Sequence, residues 1–347
     1  MTAYALLVSP SANRVYARSA AALTVAELGV LAETVLAGRL GAAQVEQLGG
    51  VEYVVFEADL DRAGIAQLSN VSTLLALFER RPADDGWLLR PVGLDRLDCL
   101  DDDLLTILKY PGKTNEVFTK LLVNVTVSAC GSAHRMLVDR LRVLDPLCGR
   151  GTTLNQVLMY GWHAAGIDLD GTDFDAYAAF LPRWLKDKRL KHTAATARLR
   201  REGRTLGRRL DVELATSKEA WAAQDTVTVT GILADTREAA EVFRAGSFDA
   251  VVTDAPYGVQ HGSRSGDGLR RRPLELLGEA LPGWVRLLRP GGAIGIAVNL
   301  RTCPRADALA LLVEVGLDVR DTPSYRGFEH RVDQAIQRDI VVACKAD

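Results

Sequence analysis

Two short segments hold the residues whose types and spacing suit chemistry. The first is Asp145-Pro146-Leu147-Cys148-Gly149-Arg150-Gly151-Thr152, set between an apolar run at 141–144 and a helix-patterned run from 153 onward. Gly149 and Gly151 carry no Cβ, so the backbone there can turn sharply and approach a ligand closely. The helix that follows directs its free N–H groups at the same place, which suits a carboxylate. A carboxylate about 20 positions further on, at the end of the next strand, would hold ribose hydroxyls. Asp168 stands there, 19 residues after Gly149. A dinucleotide loop would look similar, but the third glycine of that fingerprint is absent and Asp145-Pro146 precedes the turn. The pattern therefore favours the sulfonium methyl donor S-adenosylmethionine over a nicotinamide. Its candidate contacts are Asp145, Pro146, Cys148, Gly149, Gly151, Thr152 and Asp168, together with Asp235, which is placed to accept a hydrogen bond from the donor's adenine amine.

The second segment, Asp254-Ala255-Pro256-Tyr257-Gly258, closes the apolar run 248–253. An exocyclic amine on a nucleobase is a poor nucleophile, because its lone pair is conjugated into the ring. Hydrogen bonds to a carboxylate and a backbone carbonyl draw it towards tetrahedral geometry. Asp254 can supply the carboxylate, and Ala255 or Pro256 the carbonyl. Tyr257 offers a flat surface for an extruded base. A sulfonium donor is already reactive, so alignment matters more than a strong base. Asp254, Pro256 and Tyr257 are accordingly the candidate catalytic residues. A plain strand end followed by a turn would also satisfy so short a motif, but this one follows a buried strand downstream of a donor loop.

With these two loops the chain resembles the tRNA guanosine methyltransferases that act on the 2-amino group of guanine, in the THUMP-containing branch of the class I S-adenosylmethionine-dependent methyltransferases. Their D-P-x-C-G-x-G-T loop is matched by residues 145–152, and their T-D-P-P-Y-G-V loop by residues 253–259 with Ala255 in place of the first proline. The helix-patterned stretch 113–124 is also similar. The resemblance covers roughly residues 110–345 apart from an insertion. It implies a Rossmann-like α/β sheet of seven strands whose last strand runs antiparallel, and an RNA partner. The N-terminal part is shorter than that branch's full RNA-binding front end.

The elements that would position these loops form a doubly wound α/β domain over 111–347. Residues 1–85 read as a small α+β, ferredoxin-like domain, with strands at 4–8, 15–17 and 51–57 and a helix at 26–37; residues 86–110 read as a linker, although 87–89 has strand character. Residues 1–110 hold 15 acidic and 9 basic side chains, the wrong sign for a phosphate-binding module, which suggests a positioning or dimerising element. Positive charge is concentrated instead between Arg183 and Arg209, with 11 basic residues against Asp187 and Glu202. This is a basic insertion at about 183–215, predicted as a hairpin around Arg201–Arg204. Arg198, Arg200, Arg201 and Arg204 are candidate phosphate contacts, with Trp184 a candidate stacking side chain; a solvated charged face is the alternative. Arg264, in a Gly/Ser-rich stretch after the second loop, is a further candidate, and His261 beside it reads as a base or as an ordinary surface histidine.

Composition bounds the rest. A chain of 347 residues, 48% hydrophobic and with net charge −2, accommodates two domains with sizeable cores. Five scattered cysteines form no C-x-x-C pair and five histidines show no ligand spacing, so no metal is expected. No basic leader and no long apolar run are present, so a cytoplasmic protein without a membrane partner is expected. The leading expectation is donor-dependent methylation of a base amine in RNA. A DNA methyltransferase acting on adenine or cytosine amines would use the same clamp. A decayed loop, marked by Ala255, would leave a donor-sensing or nucleic-acid-binding protein.

Overall fold

The computed structural model describes residues 1–10, 14–84, 86–110, 112–201, 203–256 and 273–347. Tyr257, His261 and Arg264 lie outside the described residues, as do the side chains of Arg201 and Arg204.

The N-terminal part runs β1 (Thr2–Val8), α1 (Arg14–Glu33), β2 (Gln44–Leu48), β3 (Val51–Ala58), α2 (Arg62–Leu68), β4 (Leu74–Ala83) and β5 (Gly86–Val92). Its antiparallel sheet has the order β2-β3-β1-β4-β5, so the first six elements form the βαββαβ arrangement and β5 adds an edge hairpin. Two expectations change. The strand expected at 15–17 lies inside α1, because Tyr16, Ala20, Leu23, Ala26 and Val30 recur at helical spacing and are all buried. Segment 86–92, expected as linker, is instead β5, paired to β4 from Gly86 opposite Ala83 to Val92 opposite Leu77. Pro82 pairs with Trp87 and Ala83 with Gly86, so this stretch joins two strands of one hairpin rather than ending the unit.

Helix α1 is apolar on two faces, and each face has a partner. Ala21, Leu28 and Leu31 join the core over the N-terminal sheet. Tyr16, Ala20, Leu23, Ala26 and Val30 join the core of the larger sheet instead. The segment between the two sheets is stitched down by backbone bonds: Asp95 N–H to Ser69 Oγ, Leu97 N–H to Asn70 Oδ1, and Cys99 N–H to Met159 O.

The larger part continues through α3 (Asp103–Thr106), α4 (Glu116–Ser128), β6 (Arg142–Asp145), α5 (Thr152–Met159), β7 (His163–Asp168), α6 (Gly171–Asp187), β8 (His192–Arg201), β9 (Arg204–Leu214), α7 (Lys218–Ala222) and β10 (Val227–Leu233). It ends with α8 (Ala239–Val242), β11 (Phe248–Asp254), α9 (Pro273–Leu287), β12 (Leu288–Asn299), α10 (Arg305–Glu314), β13 (Asp318–Arg320), β14 (His330–Arg331) and β15 (Gln337–Cys344). The sheet order is β13-β15-β12-β11-β6-β7-β10-β9-β8, with β14 on β15. Strands β10, β7, β6, β11 and β12 are mutually parallel, and β15 is antiparallel to β12. From β6 the chain builds outward to β10, then returns to lay β11 on β6's other side. That reversal puts the carboxyl ends of β6 and β11 at the topological switch point, where doubly wound sheets bind ligands. The strands beneath it are buried from both faces, as at Val143, Leu144, Ala250, Val251 and Val252.

The basic insertion is a hairpin, β8–β9, that extends this sheet at its edge. Arg208 pairs with Leu233, the last residue of β10, so residues 203–207 reach past the carboxyl edge. Gly207 makes that crossing possible: its φ is +157°, and a Cβ there would lie 1.7 Å from Leu233 O.

Candidate active site

The loop after β6 is held in shape by its own backbone and by two carboxylates. Gly149 and Gly151 have φ of +49° and +80°, and a Cβ on Gly151 would sit 2.4 Å from the Tyr177 ring. Cys148 N–H bonds Ile167 O, while its thiol packs against Gly166 of β7 and is pushed up by burial. The side chain of Cys148 therefore braces the loop from below. Pro146 is buried as well. Asp168, at the end of β7, accepts Gly149 N–H at 2.7 Å and Asp170 N–H at 2.8 Å, one on each oxygen. A carboxylate has about four lone-pair sites, so capacity remains for two hydroxyls. Burial raises the Asp168 carboxyl, and the two N–H donors pull it back. Leu169, directly after it, is 57% exposed and offers an apolar surface for a planar ring.

Asp145 does a different job from a surface ligand contact. It is buried, and its Oδ1 accepts the Leu147 N–H and, at 2.8 Å, the hydroxyl of Thr253. Burial pushes its carboxyl up to about 7 against the hydrogen bonds from Thr153, Thr253 and Leu147. A carboxyl raised in the folded state holds its proton after the unfolded chain has lost it. Its contribution to stability is therefore full below about pH 4 and falls as pH rises through about 7. Asp145→Asn should flatten that component, so the shift in urea midpoint between about pH 5 and about pH 8 should shrink. An unchanged midpoint shift would mean that Asp145 is ionised throughout.

Asp235 lies at the same edge, after β10, but is occupied. Its carboxylate accepts from Arg237 N–H and from the Arg237 guanidinium, which also pairs with Glu279. An adenine amine would have to share it.

At the end of β11, Thr253 is buried and Asp254 partly exposed. Ala255 N–H bonds Ala297 O of β12 at 2.9 Å, which fixes the start of the loop, and Pro256 is exposed. Asp254 Oδ2 accepts the hydroxyl of Thr114 at 2.6 Å and lies 3.7 Å from Arg338 Nη2. Neither partner carries a local signal, since they stand 140 residues before Asp254 and 84 after it. While Thr114 meets Asp254, Tyr110 meets the other loop: its Oη lies 3.1 Å from Thr152 Oγ1, with the Arg150 guanidinium over its ring. His330 lies buried nearby, against Phe118, and burial lowers it to about 4.

The charged run 183–209 divides. Lys188 pairs with Asp101 and Asp103, Arg208 with Asp175, and Arg209 with Asp211. Trp184, expected as a stacking side chain, is buried with its indole N–H on Asp103; it sits on the apolar face of α6 and is unavailable to a base. Arg198 and Arg200 are exposed, with no acidic partner among the described residues. Among the described residues there is also no cluster of three or more potential metal ligands, and no helix long and apolar enough to cross a membrane.

No protein-family profile matches the chain, and no curated protein matches it in sequence. Among solved structures it is similar to a TehB-like SAM-dependent methyltransferase from Corynebacterium glutamicum, at 16% identity over 60% of this chain and 83% of that one, with a TM-score of 0.34. A 1,6-didemethyltoxoflavin-N1-methyltransferase from Burkholderia thailandensis, solved with S-adenosylhomocysteine, is similar at 16% identity over 62% and 75%, TM-score 0.36. An rRNA methylase from Streptococcus thermophilus follows at 11% over 61% and 91%, TM-score 0.33. Similarity this low leaves the chemistry to be argued from the residues.

Proposed function

We propose that this chain is an S-adenosylmethionine-dependent methyltransferase acting on an exocyclic amine of a nucleobase in RNA, with the 2-amino group of guanine in tRNA as first target. The observation that carries this reading is the hydrogen bond from Thr253 to Asp145 across the sheet reversal. It welds the glycine loop to the Asp254 loop, so a donor on one and an amine on the other face each other across that reversal. When bound, the donor supplies an electrophilic methyl carbon on a positively charged sulfur. The N–H groups at the start of α5 face its carboxylate end. Asp168 takes the ribose hydroxyls and Leu169 the purine face. Asp254 accepts from the amine and directs its lone pair along the line of transfer.

Arg198 and Arg200 fit a phosphate backbone. Arg198 pairs with Arg208, Arg208 with Leu233, and Leu233 with Asp168, so Arg198 is level with the ribose carboxylate. Three strand spacings separate them, about 14 Å. Five free cysteines fit a reducing, cytoplasmic setting. Incubation with labelled donor and separate pools of tRNA, rRNA and duplex DNA, followed by mass spectrometry of the nucleosides, tests the assignment. Label in N2-methylguanosine from tRNA is the expected result; label confined to DNA amines would move the enzyme to the other substrate class. Replacing Arg198 and Arg200 by Gln should weaken tRNA binding and reduce the slope of log K against log salt by roughly one to two, because fewer counterions are released. A slope equal to that of the wild type would return the hairpin to a solvated face.

A further inference from the structure

We propose that Thr114 and Arg338 are positioning residues that fix the Asp254 carboxylate in the plane in which it meets the target amine. This rests on the reading of Asp254 given above. Both residues act on the same oxygen, Oδ2: Thr114 by a 2.6 Å hydrogen bond, Arg338 by its charge at 3.7 Å. A carboxylate engaged on one oxygen by a hydroxyl and a cation from two distant segments has less freedom to rotate about χ2, which is otherwise broad.

The two anchors are themselves fixed, and by one element. Thr114 immediately precedes Asn115, the N-cap of α4, whose Oδ1 accepts the Phe118 N–H at 3.1 Å. Phe118, in the first turn of that helix, is the platform over which the Arg338 guanidinium stacks, 4.4 Å from the ring centroid. The Arg338 side chain is only 6% exposed, and the register of β15 sets it opposite Asn299 of β12 and His330 of β14. The start of α4 thus presents a hydroxyl from the residue before its cap, directly to Asp254, and an aromatic face from its first turn, to Arg338. A guanidinium stacked on a ring and desolvated keeps its charge and direction better than a flexible surface lysine would.

The test separates position from packing. Thr114→Val keeps shape and loses the hydroxyl; Thr114→Ser loses a methyl and keeps it. Thr114→Val should lower kcat roughly ten- to a hundredfold, the scale of a small misplacement of a reacting group, with donor affinity and target KM near wild type. Thr114→Ser should stay close to wild type. Arg338→Lys should retain more kcat than Arg338→Met. Equal losses in Thr114→Val and Thr114→Ser, or unchanged kcat in Thr114→Val, would overturn the proposal. Crystal structures of the wild type and of Thr114→Val give a readout that needs no turnover. The carboxylate should rotate about χ2 in the variant, and an unmoved carboxylate would overturn the proposal even with an inactive protein. Absence of methyl transfer by the wild type to any base amine would sink the functional reading alone, leaving this structural outcome to stand or fall by itself.

Discussion

Asp254→Ala should cost roughly 10²–10³-fold in turnover, the scale found when a single preorganised polar contact to a reacting centre is deleted. Donor affinity should remain within about twofold. The reasoning is geometric: Asp254 ends β11, while the donor loop follows β6, and the contact that joins the loops runs through Thr253 and Asp145 rather than through Asp254. Removing the Asp254 side chain therefore leaves the donor loop supported. It removes the acceptor that would draw the amine out of conjugation, an interaction made with the target. Such a loss falls on kcat and kcat/KM together. Isothermal calorimetry with the donor and single-turnover kinetics with tRNA would separate the two effects. A variant that methylates at the wild-type rate would place the chemistry elsewhere and end the amine-methylation reading.

Asp168→Ala should show the opposite division, with donor affinity reduced on the order of 10²–10⁴-fold. Two hydroxyl contacts to a carboxylate are worth roughly 1.5–3 kcal/mol each, and about 1.4 kcal/mol is tenfold in Kd. The same carboxylate also accepts the Gly149 and Asp170 N–H groups, so its loss leaves the glycine loop without the bond that sets its outer turn. Asp168→Asn retains one acceptor oxygen and should lie between the two. Calorimetry giving one Kd for all three proteins would remove the ribose role and, with it, the donor assignment.

Both positions were legible in the sequence for the same reason. Strand, glycine turn and helix follow one another locally around 141–159, and a strand ending in Asp closes at 168, so punctuation alone locates the carboxyl edge. The small α+β class of the N-terminal part was legible through its apolar runs, but its element order was not: 15–17 reads as a strand, and β2 at 44–48 carries no strand signal strong enough to stand out. Failures arose where local cues pointed away from tertiary partners. Val15 and Tyr16 favour a strand locally, yet the twenty-residue helix they open is packed on two faces, and that packing outweighs local preference. Pro82 and its neighbours resemble a linker because hairpin connections use the same residue types, yet Pro82 pairs with Trp87. Trp184 sits amid charges, but α6 is amphipathic and turns it inward. Thr114 and Arg338 could not have been found, since their meeting with Asp254 depends on how three distant segments pack. The engagement of Asp235 by Arg237 lies only two residues away, and a carboxylate next to a guanidinium in a turn was a readable warning.

The second apolar face of α1 has a mechanical consequence. Separate domains joined by a tether are expected to move relative to one another unless their interface is large and hydrophobic. Here Tyr16, Ala20, Leu23, Ala26 and Val30 belong to the same core as Phe118, Leu121, Leu122 and Val125 of α4. The seam also encloses the Glu27 carboxylate, which accepts from Ser72 on its own side and from Asn124 on the other. The N-terminal unit is thus a fixed flank, and it bears on α4, the helix that begins just after Thr114 and carries Phe118 beneath Arg338. Cutting the chain near residue 92 would strip an apolar face from α4 and remove the Glu27 and Asn70 acceptors of the Asn124 amide, so the larger part should not fold as a free-standing unit. On the proposed function, an RNA reaching Asp254 would meet a rigid flank and would have to supply the flexibility needed to present its base.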